Sequence, residues 1–372
     1  MPYPSSWKYL PIKIKNNKIC FQHSYTFLKM PEKRGEEMLN HMLEKQYGIQ
    51  FDEEIRVGKY HACRKQGQIY LIVPVEGYEE DELTELEMLA DHLARNGEKY
   101  CSTFLKTKEG QQISEWENRK YCVLKNEHIQ NRKVNRFGRK LAKFHYRGRS
   151  VSFSVNKLSR IGQWKQLWEL RLDQMEKVWN DMLFQQPDND FERMFLESFP
   201  YYMGIAENSI QYLVDTELDD DPSFMDSGTV CHNRFTDDTW GNSYYIKNPF
   251  DWVFDHSSRD LAEWTREKYF HNIKTYEPEL RKFLTDYQSI APLSSFSWRL
   301  YYARILFPLH YFSCIETYYG TESEQEKKLL EESLYKYLQQ SDDHERFLGR
   351  FYEFAEVPVQ KWKIPLVDWL KK

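Results

Sequence analysis

The sequence predicts an α+β protein of two unequal lobes, a small mixed lobe followed by a large helical one. Three observations predict it. Helical and strand-like apolar patterns alternate as far as residue 127; beyond about residue 134 nearly every pattern is helical; and one stretch, 228–256, interrupts the helices with β-branched and aromatic residues set between turn signals. A chain of 372 residues is long enough for one such two-lobed unit. The expected organisation is a leader over 1–34, a small lobe over 35–127 and a helical lobe over 128–372.

The leader has scattered Lys and no clear period, and reads as a short strand pair or an upstream extension. Residues 35–47 read as a helix with Met38, Leu39, Met42 and Leu43 on one face. The string IRVGKYHACRKQGQIYLIVPV reads as a hairpin turning at Lys65-Gln66-Gly67. Residues 80–96 form an amphipathic helix, with Leu83, Leu86, Leu89, Ala90 and Leu93 on one face and Gly97 as C-cap. Strands follow in YCSTFLKT and RKYCVLKN. Helices are then expected over 134–147, 160–185, 190–215, 258–271, 276–289, 296–319, 324–340 and 343–356.

Composition narrows the classes of function. Aromatic residues make up 16% of the chain, with 26 Tyr, 23 Phe and 11 Trp; this surface demands burial and excludes disorder. A net charge of -5 argues against a general nucleic-acid binder, so no nucleic-acid partner is expected. The basic stretch 131–149 reads first as a solvated helix face, the alternative being a phosphate- or partner-facing patch. The six cysteines (Cys20, Cys63, Cys101, Cys122, Cys231, Cys314) form no CxxC pair, so reduced thiols are expected rather than zinc ligands or disulfides. No apolar run has the length of a membrane span, and the N-terminus does not read as a signal peptide, which implies synthesis in the cytoplasm.

Four local strings carry a resemblance. They are Leu141-Ala142-Lys143-Phe144-His145, the loop from His232 to Thr239, Phe250-Asp251-Trp252, and Asp260-Leu261-Ala262 nine residues after Asp251. In order and spacing they resemble the aminoglycoside and choline phosphotransferase superfamily over roughly residues 35–372. The resemblance implies a two-lobed, protein-kinase-like fold. The Trp-rich segment 160–185 and the closing IPLVDWLKK are similar to the CotS-like branch. The strings HNRFTDDTW and DWVFDHSSRDLAEW look most like the YutH-type spore coat-associated proteins.

Phosphoryl transfer needs a phosphate cradle, a strand Lys, metal ligands and a group that receives the acceptor's proton. Gly58 stands alone before Lys59, so the Gly-rich turn is missing. The strand Lys falls at Ile72 or Val73, whose alkyl side chains cannot pair with phosphate. Glu85 or Glu87, which would partner that Lys, then read as surface carboxylates. The base position is Arg234, a permanently protonated guanidinium without an acceptor lone pair. The metal-holding loop Asn falls at Thr239, with Asp237 and Asp238 nearby as candidates for recruitment. Asp251 matches the metal-ligand Asp. It either retains residual metal or nucleotide binding or is held by Arg234 in an ion pair, and a direct Arg234–Asp251 contact is the expectation. His232 is expected to hydrogen-bond the loop backbone and Asp260 to cap or brace the helix beginning near Leu261. Cys231 beside His232 does not read as a reactive pair, because adjacent residues on an extended segment face opposite ways.

The resemblance therefore implies a pseudokinase of the spore coat, made in the cytoplasm, with other coat proteins as partners and a structural or interaction role. No cofactor is expected, and ATP and magnesium would bind only if residual binding persists. The alternatives are an active small-molecule phosphotransferase and a nucleotide-binding sensor without turnover. The many tyrosines are expected to supply exposed aromatic surface for packing or cross-linking in an assembly.

Overall fold

The computed structural model describes residues 13–15, 18–20, 39, 41–128, 136–241 and 244–370. The basic residues 131–135 and most of the leader lie outside them, apart from two antiparallel strands, β1 (Lys13–Lys15) and β2 (Lys18–Cys20). Of the first expected helix, Leu43–Tyr47 closes in a π-helical turn that stops at Gly48, whose φ of 68° turns the chain left-handed.

The small lobe is an antiparallel sheet. Its strands are β3 (Glu53–Val57), β4 (Tyr60–Lys65), β5 (Gln68–Pro74), β6 (Thr103–Leu105), β7 (Ser114–Trp116) and β8 (Arg119–Asn126). They run in the order β3-β4-β5-β8-β6, with β7 hooked onto β8. The expected hairpin is thus a three-stranded meander. Its second turn is made by Gln66 and Gly67, both at positive φ, as a two-residue hairpin turn requires. The run Ile69-Tyr70-Leu71-Ile72-Val73 is buried throughout because β5 is central and covered on both faces. Ile69, Leu71 and Val73 join the main core with α1 (Glu80–Arg95), whose Leu83, Leu86, Leu89, Ala90 and Leu93 are buried as expected. Tyr70 and Ile72 face the other way, onto Leu39, Met42, Leu43 and Ile49.

The large lobe is built from α2 (Phe137–Arg149), α3 (Trp164–Leu183), α4 (Asp190–Asp219), α5 (Ser258–His271), α6 (Tyr276–Gln288), α7 (Ser295–Leu306), α8 (Leu309–Gly320), α9 (Glu324–Gln339) and α10 (Ser341–Phe354). The single helix expected over 296–319 is two, α7 and α8. The break has a local cause. Pro308 has no N–H to give to the carbonyl of Arg304, and that carbonyl instead accepts from the Arg266 guanidinium on α5. The interrupting region supplies a two-stranded hairpin, β9 (Thr229–His232) and β10 (Trp252–Asp255), in which His232 faces Trp252.

Helix α2 lies flush in the lobe because glycine marks both its contact points. A Cβ on Gly138 would sit 2.2 Å from the Phe283 carbonyl oxygen, and one on Gly148 would sit 2.8 Å from the Val230 nitrogen. The tyrosines mostly fill the core, in stacks such as Tyr202 on Tyr311 (ring centroids 3.7 Å apart) and Phe191 on Tyr318 (3.6 Å). Among the described residues the well-exposed tyrosines are Tyr146, Tyr201 and Tyr335, so the expected aromatic surface is small. Also among the described residues, no helix is long and apolar enough to cross a membrane.

Two tests of this packing follow. Gly138→Ala should destabilise the protein by about 1–3 kcal/mol in urea unfolding, because its methyl group has nowhere to go. Gly204→Ala, within α4, meets nothing within 4 Å and should stabilise by roughly 0.5–1 kcal/mol. The second test is pH. His310 and His344 are buried together, with ring centroids 4.9 Å apart. Burial, then nearby Arg266, lowers His344 from 6.5 to about 3. Between these values the unfolded chain binds more protons than the folded one, so stability should fall as pH drops from about 6.5 toward 3. His344→Phe should flatten that slope in thermal melts.

Candidate functional site

The site forms where β9 and β10 open into the loop 233–251. Its base is closed by the Asn233 N–H donating to the Asp251 carbonyl at 2.7 Å. The loop is fastened from below by Asp260, on the first turn of α5 and fully buried. One oxygen of Asp260 accepts the backbone N–H of His232 at 2.9 Å; the other meets His232 Nδ1 at 2.7 Å and His145 Nε2 at 3.0 Å. Burial alone would raise this carboxyl, but the two histidines hold it well below the usual carboxylate range. Of the two roles expected from sequence, Asp260 does not cap its own helix but braces it, tying α5 to the loop and to α2.

His232 is structural, as expected, although its side chain bonds side chains rather than loop backbone. Its Nε2 lies 3.0 Å from Trp240 Nε1. Indole is a donor only, so Nε2 must accept, and the ring proton sits on Nδ1 facing Asp260. Both nitrogens are then engaged and the ring is neutral. His145, Cys231 and Asp260 bring ligand atoms within 4.8 Å of one another. However, Asp260 is already occupied by N–H donors, and burial pushes the Cys231 thiol far up, so this triad is packing rather than a metal centre.

Arg234 does not meet Asp251, and the expected ion pair is overturned. Its side chain is 62% exposed and reaches the other way, with Nε 3.9 Å from Glu263 on α5. Glu263 is buried and also faces Arg266 at 3.2 Å and Arg304 at 3.4 Å. Asp251 is half-buried; burial raises its carboxyl, opposed by Lys59 on the β3–β4 turn. Thr239 turns inward: its hydroxyl donates to the Arg234 carbonyl at 3.2 Å and accepts the Thr236 N–H at 2.7 Å. Asp237 accepts from Trp264 Nε1 at 2.9 Å and pairs with Lys268, which removes it as a relocated base.

Across the lobe interface, Val73 rather than Ile72 faces the core where a strand Lys would point. Glu85 is not a surface carboxylate. It is buried and accepts the backbone N–H groups of Asn156, Lys157 and Leu158 at 2.8–3.0 Å. Glu87 pairs with Lys106 at 3.3 Å. Sequence reasoning also missed Lys247, a fully buried lysine lying 4.1 Å over the Trp240 ring and 3.0 Å from Glu98. Burial lowers it to about 8 against the pull of Glu98, which also binds Arg147 at 2.8 Å. Its only signal in the sequence is a lone charge after Tyr244-Tyr245-Ile246.

A small antiparallel lobe joined to a helical lobe, with the loop anchored on a buried helix Asp, defines the kinase-like phosphotransferase fold. Solved structures agree. An aminoglycoside phosphotransferase from Alicyclobacillus acidocaldarius is 13% identical, covers 84% of this chain and 96% of its own, and superposes with a TM-score of 0.61. A spectinomycin phosphotransferase is 15% identical, covers 87% of this chain and 98% of its own, and gives a TM-score of 0.57. At this identity they show the fold alone. Residues 40–351 match the family described as "Spore coat putative kinase YutH". The endospore coat-associated protein YutH of Bacillus subtilis is 42% identical over 336 residues, which are 90% of this chain and 99% of that protein. The chain belongs to the YutH family.

The geometry ranks the site residues by their effect on stability. Asp260→Ala strips a partner from two buried histidines and should cost about 3–5 kcal/mol, whereas Arg234→Ala, which removes a mostly exposed guanidinium and leaves Glu263 with Arg266 and Arg304, should cost no more than about 1 kcal/mol. Arg234→Ala and Asp251→Ala should add in the double variant, measured by urea unfolding; coupling between them would restore the direct contact that the structure denies.

Proposed function

We propose that the protein is a coat-associated pseudokinase, kinase-like in shape, with a structural or interaction role and phosphoryl transfer lost. The observation that carries this reading is Arg234. The position that receives the acceptor's proton holds a guanidinium turned toward Glu263, and Asp237, one of the two nearby carboxylates that could replace it, is held by Trp264 and Lys268. Two further losses support it: Val73 at the strand-Lys position, and a Thr239 hydroxyl spent within the loop. Of the groups that would hold a magnesium nucleotide, Asp251 and Lys59 remain, fewer than transfer requires. The coat assignment follows the B. subtilis relative, whose name places it at the endospore coat.

A second reading, nucleotide binding without turnover, is favoured by one observation: Asp251 is not tied up by Arg234 and sits within the field of Lys59. Purified protein should show no transfer from ATP to choline, aminoglycosides or sugars; turnover abolished by Asp251→Ala would overturn the pseudokinase reading. ATP with magnesium at 100 times its dissociation constant would stabilise the fold by about 2.7 kcal/mol, so the size of a thermal shift separates the two readings. A fluorescent fusion should light up the coat of developing spores, and a signal that stays diffuse would count against coat association.

A further inference from the structure

Beneath the loop, charge does not balance. Among the described residues, Glu263 is the carboxylate within ion-pair reach of three guanidiniums, those of Arg234, Arg266 and Arg304, with Asp255 adding only its field at Arg304. The other described acids around it have partners of their own. Asp255 holds Arg259 at 2.9 Å and the Trp164 indole, Glu316 holds Arg171, and Asp237 holds Lys268. Two buried donors have no hydrogen-bond acceptor: Arg266 Nη1, which lies 3.2 Å from Glu263 in poor alignment, and Arg304 Nε. The Arg304 guanidinium also lies 4.7 Å over the Trp164 ring, and burial together with Arg259 pushes it down to about 10. Buried cations in excess of anions are costly unless an anion joins them. Arg234, the exposed member, is the group a ligand would meet first.

We propose that this cluster is a binding site for a small oxyanion, best a phosphate or phosphate monoester, with Arg234 as the entry clamp and Arg266 and Arg304 supplying the field beneath it. A planar guanidinium suits such a ligand because two of its N–H groups can meet two oxygens at once. The site lies where the kinase-like loop would handle its acceptor, so a cationic acceptor would be repelled there. The proposal rests on the placement of Arg234, not on the loss of turnover.

The test is calorimetric titration of full-length protein with inorganic phosphate, against sodium chloride at matched ionic strength. A small phosphate monoester and acetate are run beside it to tell phosphate from carboxylate preference. Saturable phosphate binding is expected, weakened at least tenfold in Arg234→Ala, partly kept in Arg234→Lys and unchanged in the surface control Arg281→Ala. Binding that merely follows ionic strength overturns the site. So does phosphate binding that survives Arg234→Ala and is lost in Lys59→Ala, which would put the anion in the cleft between the lobes. An acetate preference over phosphate overturns the ligand class. None of these outcomes depends on the ATP-transfer assay, so failure here and failure of the pseudokinase reading are told apart.

Discussion

The constraint on which the site depends is the carboxylate of Asp260. Fully buried, it would be expensive as a lone charge, and it is kept ionised by the His232 backbone N–H and by two imidazoles. Those contacts tie three elements that are far apart in the chain: α5, the end of β9, and α2. The closeness of α2 is in turn possible because Gly138 and Gly148 let backbone approach backbone. Trp240 completes the arrangement by fixing the His232 tautomer, which leaves His232 neutral and its proton on the side of Asp260. None of these groups performs a step in phosphoryl transfer. The anchor is a packing device, and it can persist while the residues above it change.

That separation explains what was legible in the sequence. The lobes, the strand run through Leu71 and the apolar face of α1 follow from spacing alone, because a period of two or 3.6 residues is a local property. Helix α5 was bounded correctly for the same reason. The break between α7 and α8 was also written locally, in Pro308, and was missed because the apolar period runs on through it. Identity of the loop residues told which side chains of the resembled motif are replaced. It did not tell where the replacements point. Arg234 chose Glu263 over Asp251, and Glu85 chose three backbone N–H groups, because those partners lie on other elements and only the folded chain brings them near. The opposite charge expected for Arg234 was real; the carboxylate supplying it was a different one.

The interface between the lobes carries a charged cluster of its own. Glu98 belongs to the small lobe, while Lys247 and Arg147 belong to the large one. All three meet in a largely buried cluster floored by Phe144, Trp240 and Tyr245. Separating these charges would leave a buried carboxylate or ammonium without its partner, which costs far more than parting a surface pair. An enzyme of this fold must admit nucleotide between its lobes and release it again. Here that boundary is fastened by a largely buried ion pair of the kind that resists opening.

The replacements on which the proposed loss of transfer rests are independent of one another. Restoring a carboxylate at position 234 would not restore the strand Lys, since Val73 is part of the apolar face packed on α1. Nor would it free Glu85 from the backbone of residues 156–158, or release the Thr239 hydroxyl from the loop it closes. Each of these positions holds a group that satisfies a structural need: an alkyl chain in a core, a carboxylate under three N–H groups, a hydroxyl inside a turn. Reversing any one of them would open a cavity or strand a buried polar group before it contributed to catalysis. On the proposed reading, stability and phosphoryl transfer thus pull in opposite directions at Val73, Glu85 and Thr239, whereas the Asp251 side chain stands apart from Arg234 and within the field of Lys59.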